Sequence, residues 1–133
     1  MCGIVGLFLK DKSMEPQLGA LLTDMLITMT DRGPDSAGIA IYGNEVPDNA
    51  KLTVQSDTPE TDFLDLKSEL VKTIQGGLEI RVQSTHAVLE IQADQMSKAR
   101  TALKSIRPNI RVMSTGESLE IYKEVQSQFY QNL

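Results

Sequence analysis

Between residues 51 and 114 the hydrophobic pattern switches repeatedly between strand alternation and helical spacing, and no other feature limits the fold so strongly. Lys51–Ser56 reads as a strand. Residues 62–75 then place Phe63, Leu66, Leu70 and Ile74 on one helical face, and Gly76-Gly77 close it. Leu78, Ile80 and Val82 alternate as in a strand over 78–83. A turn at Ser84-Thr85-His86 leads to a second strand over 87–92. Asp94 is placed to cap a helix running to Ile106, with Met96, Ala99, Leu103 and Ile106 inward, stopped by Arg107-Pro108. Ile110–Met113 is a further strand. The order is β-α-β-β-α-β, that of a split-βαβ unit. Beyond it, Leu119, Tyr122, Val125 and Phe129 predict a last helix over 117–129.

The N-terminal third has a different pattern. Residues 3–9 form a short apolar run, predicted as a buried strand. From Pro16, Leu18, Leu21, Leu22, Met25, Leu26 and Met29 fall at helical spacing, which predicts a helix to about Asp31 with these residues as core. Gly33-Pro34 cannot continue it, and Ser36–Tyr42 reads as a strand. Residues 43–50 are a loop. The polar stretch 57–61 marks a boundary, giving a first part over 1–56 and a second over 57–133 that shares strand 51–56.

At 133 residues the chain is one domain or two small units, and a hydrophobic fraction of 41% supports a core. A net charge of −5 argues against nucleic acid or an anionic membrane as partner. Strands 78–83 and 87–92 also lack the aromatic residues that stack on RNA bases. One cysteine excludes an internal disulfide, and no apolar run approaches the roughly 18 residues of a membrane span. A cytoplasmic location is expected. His86, the sole histidine, is expected to be solvated or structural rather than catalytic. The acidic residues Asp57, Glu60, Asp62 and Asp65 read as a solvated surface at a helix start. No metal-ligand spacing or phosphate loop is present, and no cofactor is expected.

Two motifs carry chemistry. The chain opens Met1-Cys2-Gly3-Ile4-Val5-Gly6. Removal of Met1 would leave Cys2 with both a thiol and a free α-amine. Their reference pKa values of about 8.5 and 7.7–8.0 allow the amine to take the thiol proton near neutral pH. The second motif is Asp31-Arg32-Gly33-Pro34-Asp35-Ser36-Ala37-Gly38. It reads as a sharp turn in which Arg32 offers a planar donor fork for a carboxylate or for carbonyls.

Together, an N-terminal Cys-Gly-Ile-Val-Gly, one amphipathic helix and Arg-Gly-Pro-Asp-Ser-Ala-Gly-Ile resemble the class II glutamine amidotransferases, which are N-terminal-nucleophile enzymes. Over its whole length the chain looks most like the amidotransferase subunit of the glutamate synthase-like group, the partner of enzymes such as N-methylglutamate synthase. The resemblance implies an α+β chain: a partial N-terminal-nucleophile hydrolase (αββα-type) layer, then the split-βαβ, ferredoxin-like unit as an insertion. It implies hydrolysis of glutamine through a γ-glutamyl thioester on Cys2, with the ammonia passed to a synthase subunit. Arg32 matches the arginine that orders the pocket around the cysteine, and Gly33, Asp35, Ser36 and Gly38 match the same turn. The family's Asn-Gly oxyanion pair and its Thr-Arg segment for the substrate carboxylate do not occur in the 133 residues. The expectation is therefore the N-terminal portion of such an enzyme. The alternative is a non-catalytic α+β module that binds a small molecule or a subunit.

Overall fold

The computed structural model describes residues 3–32 and 35–125, and the chain is α+β with antiparallel sheets. It divides into two units, one of Met1–Gly38 with Lys123–Leu133 and the other Ile39–Tyr122.

The larger unit holds a four-stranded sheet. Its strands are β2 (Asn49–Gln55), β3 (Leu78–Gln83), β4 (His86–Gln92) and β5 (Arg111–Gly116), in spatial order β3-β4-β2-β5. β4 pairs antiparallel with β2 and β3, and β2 pairs antiparallel with β5 across an irregularity at Thr53/Val54. The helical segments between the strands are α2 (Pro59–Asp62), α3 (Leu66–Leu70) and α4 (Met96–Ile106), so the β-α-β-β-α-β order expected from 51 to 114 is present. Alternation sends Leu52, Val54, Leu89 and Ile91 to one face, where they meet Leu66 and Leu70 of α3 and Met96, Ala99 and Leu103 of α4. Leu52, Leu66, Leu70, Leu89 and Ile91 are wholly buried there.

The single helix expected over 62–75 is broken. Asp65 adopts φ 55°, a left-handed conformation that separates α2 from α3. The carbonyls released by the break are taken by Arg107, whose Nε donates to Asp62 O at 3.0 Å and whose Nη2 donates to Leu64 O at 3.1 Å. The same guanidinium forks onto the Glu69 carboxylate at 3.0 and 2.7 Å. Asp62 is correspondingly not solvated as the acidic-surface reading expected. It is buried, and its carboxylate accepts from the Ser56 and Thr58 hydroxyls. Asp94 makes no capping bond either, since a short 3-10 turn, Ala93–Gln95, leads into α4. Gly76 stands at φ 84°, where an L side chain is strained and would also run into Gln92.

The expected C-terminal helix is not formed where the chain is described. Leu119–Val125 is instead a strand, β6, which pairs with β1 (Ser36–Tyr42); residues 126–133 lie outside the described residues. Alternation explains the difference, for Glu120 and Glu124 are buried while Lys123 between them is exposed. Ile, Tyr and Val also suit a pleated surface, and β1 offers an edge to pair with. Gly43 N–H donates to Ser118 O at 3.0 Å where the two strands join.

In the smaller unit, α1 (Leu18–Ile27) follows a 3-10 turn at Lys12–Gln17, and a second such turn, Thr30–Arg32, ends it. Leu18, Leu21, Leu22, Met25, Leu26 and Met29 are the half-buried positions expected of an apolar face, though none is fully buried. Residues 3–9 are not the expected buried strand. They have no regular structure, and Ile4 and Phe8 are 94% and 85% exposed. Among the described residues no strand pairs with this run, so its backbone lacks the ladder that would hold it extended and buried.

Candidate functional site

The structure brings the chain just after the candidate nucleophile against the candidate pocket arginine. Cys2 itself lies outside the described residues, as do Gly33 and Pro34. Gly3 is described, and it packs so closely on the segment that follows α1 that a β-carbon there would run into Met29 Cε. The same β-carbon would lie 3.5 Å from Arg32 Cβ and 3.6 Å from Arg32 Cδ. Gly3 thus permits an approach that a larger residue would reach only by displacing the Met29 methyl. Arg32 is fixed from the other side by its own N–H, which donates to Met29 O at 3.0 Å. Its side chain is exposed, so the guanidinium fork remains open to a carboxylate or carbonyl. Asp35, Ser36 and Gly38 are also exposed. Ser36 opens β1 and Gly38 lies within it, so these residues carry the turn into the strand.

The chain is similar to glutamine amidotransferases. It is 58% identical over 127 residues to the glutamine amidotransferase-like protein GlxB of Rhizobium meliloti (strain 1021), an alignment covering 94% of this chain and 41% of that protein. It is 30% identical over 135 positions to a putative glutamine amidotransferase of Methanothermobacter thermautotrophicus, covering 96% of this chain and 44% of that protein. The chain therefore spans less than half the length of the curated relatives it matches. No family model matches it, and no solved structure matches it significantly.

A second cluster, in the larger unit, has no counterpart in the sequence reading. It lies on the sheet face opposite α3 and α4. Glu120 of β6 accepts from Lys51 Nζ at 3.1 Å, from Arg81 Nη2 at 3.0 and 2.9 Å, and from the Tyr122 hydroxyl at 2.6 Å. Lys51 and Arg81 stand on β2 and β3, two strands separated by β4, so one carboxylate ties together three elements. Burial opposes ionisation of Glu120, but the hydrogen bonds from Tyr122, Arg81 and Lys51 outweigh it and hold its pKa below the ordinary value. The Tyr122 hydroxyl moves the other way, pushed up to about 12 by burial and by the Glu120 carboxylate.

His86 belongs to the same face. It is buried at the start of β4, its ring centroid 5.2 Å from that of Tyr122 and its Nδ1 3.0 Å from Thr85 Oγ1. Burial, with the nearby Arg111 charge, holds its pKa below the ordinary value. It is thus buried at the start of a strand rather than in the turn expected of it. The alternation of Glu120, Tyr122 and Glu124 was the signal available in the sequence for this cluster, and the apolar stripe at 119, 122 and 125 concealed it. Among the described residues no helix is long and apolar enough to cross a membrane.

Proposed function

We propose that this chain carries the nucleophile of a class II, N-terminal-nucleophile glutamine amidotransferase, in the glutamate synthase-like group. The Cys2 thiolate attacks the carboxamide carbon of glutamine, and the Cys2 α-amine takes the thiol proton and returns it to the leaving ammonia. Water then hydrolyses the γ-glutamyl thioester, releasing glutamate and restoring the thiol. The ammonia serves a synthase subunit. Arg32 orders the pocket beside the cysteine, and Gly33, Asp35, Ser36 and Gly38 supply the turn that holds Arg32.

The observation that carries this reading is the seating of Gly3 on Arg32, because it joins the N-terminal motif to the turn motif through space. The names of both relatives support a glutamine amidotransferase role. In this reading residues 1–56 open the αββα layer of the amidotransferase domain. Residues 57–133, with strand 51–56, form the inserted ferredoxin-like unit. The segments that bind the substrate carboxylate and the oxyanion belong to the rest of the longer protein.

The test is glutamate release from glutamine by the full-length protein, after intact mass has verified loss of Met1. Cys2→Ala is expected to abolish release, and Arg32→Ala to reduce it strongly. A Cys2→Ala protein that still releases glutamate would overturn the mechanism.

A further inference from the structure

The four-stranded sheet ends in two edges of different kinds. At β5 the ladder to β2 slips between Thr53 and Val54, and β6 reaches the strand, the Ile121 N–H donating to Ser114 Oγ at 3.1 Å. An irregular edge of this kind resists pairing with another chain. β3 has no such protection. Its register with β4 is unbroken, it holds neither Pro nor Lys, and among the described residues no strand pairs with its outer side. Gln83 and His86 are paired across the two-residue turn Ser84-Thr85. The alternation of an antiparallel ladder then sends the N–H and C=O groups of Val82, Ile80 and Leu78 outward.

The side chains of this edge complement themselves. Glu79 and Arg81 stand two residues apart, on the face away from α3 and α4, with opposite charges. Two copies of β3 laid antiparallel, with Ile80 opposite Ile80, set Glu79 of each copy against Arg81 of the other. Leu78 of each then meets Val82 of the other, a residue left 53% exposed in the single chain. With Ile80 as a hydrogen-bonded pair, Glu79 and Arg81 fall at the closer, non-hydrogen-bonded positions, where cross-strand charges interact most directly. Both groups can be reached. The Arg81 side chain is 58% exposed, and it meets Glu120 through Nη2, which leaves Nε and Nη1 for a second carboxylate. Glu79 accepts from Lys67 Nζ at 3.0 Å, but both of those side chains are more than half exposed, and an ion pair in water exchanges partners at little cost.

We propose that β3 is a dimerisation edge whose occupant is β3 of a second copy of this protein, paired antiparallel about Ile80. The contact is isologous, and it joins the two four-stranded sheets into one. One short strand a side makes a small interface, so the dimer forms reversibly with concentration. None of its residues belongs to the Cys2 and Arg32 site, so it stands or falls apart from the amidotransferase reading.

The test is sedimentation velocity of the full-length protein over a concentration series reaching millimolar, with circular dichroism to verify the fold of each variant. A monomer–dimer equilibrium is expected. Glu79→Lys sets like charges opposite one another at both symmetry-related positions and should weaken the dimer by about tenfold or more. The Glu79 side chain is 80% exposed, so the fold tolerates the change. Arg81→Glu should weaken the dimer similarly. Mixed in equal amounts, the Glu79→Lys and Arg81→Glu proteins should associate again, because every pair across the axis then joins opposite charges. A protein that stays monomeric throughout the series, a dimer that Glu79→Lys leaves unchanged, or a mixture no tighter than either folded variant alone would overturn the proposal. Should Arg81→Glu not fold, Glu79→Lys decides by itself.

Discussion

Replacing Glu120 by Ala removes the acceptor that Lys51, Arg81 and Tyr122 share. The cost can be worked from what each donor loses. The Arg81 side chain is more than half exposed and rehydrates where it stands. Lys51 cannot, because its side chain is 12% exposed and its ammonium is held by Glu120. Stranding one partner of a buried pair costs about 3–5 kcal/mol, and the exposure of Arg81 puts this case near the lower end, about 3 kcal/mol. Against a typical total of about 5–15 kcal/mol that is a large fraction, visible in a urea titration followed by circular dichroism. Removing both buried charges, in Lys51→Met with Glu120→Leu, should recover most of the loss, since neither side chain is then buried without a partner.

The pH dependence follows from the same contacts. The folded pKa of Glu120 lies below its ordinary value near 4.5. Its stabilisation is therefore fully present above that value and is lost as pH falls through the lowered one. The deficit of Glu120→Ala should be largest at neutral pH and shrink in that acid range. A single variant costing under about 1 kcal/mol, or a double variant as unstable as the single one, would refute the argument that Lys51 depends on this carboxylate.

Three further outcomes are expected. Thr53 is wholly buried and its hydroxyl has no hydrogen-bond partner among the described residues, so Thr53→Val should raise stability by about 1 kcal/mol in the same urea titration. Gly76→Ala should lower it by at least about 1 kcal/mol, because an L residue is strained at φ 84° and its β-carbon would displace Gln92. His86 has a lowered pKa from burial and the nearby Arg111, so it stabilises the fold above its ordinary value of 6.5 and that contribution fades as pH falls through the lowered one. Its ring-proton shifts followed by NMR should titrate below 6.5, and a midpoint at or above that value would contradict the burial of the ring.

The larger unit was legible because its elements make their own hydrophobic pattern. Leu52 and Val54, or Leu89 and Ile91, alternate because one face of the sheet packs against α3 and α4. Met96, Ala99 and Leu103 repeat at helical spacing for the complementary reason. Where the reading failed, a distant residue decided. The break between α2 and α3 is supported by Arg107, 43 residues from Leu64 along the chain, which donates to carbonyls that a continuous helix would satisfy internally. No local pattern announces such a partner. The segment 119–125 carried two periods at once, and the pairing with β1 selected the strand.

The candidate sites differ in legibility for a related reason. Cys2 and Arg32 stand out in the sequence because their neighbours are unusual: an N-terminal position in one case, a Gly-Pro turn in the other. The Glu120 cluster has no such neighbours. Lys51, Arg81 and Glu120 are ordinary charged residues that read singly as solvated, and they become a site only because β2, β3 and β6 bring them to one carboxylate. Glu79 and Glu90 carry the same lesson. Well separated along the chain they mean nothing, yet hairpin register sets them side by side. Lys51 stands directly across the strands from Glu90 yet gives its ammonium to Glu120, while Glu79 and Glu90 are answered by Lys67 and Asn49, so register alone does not tell which charge each residue meets.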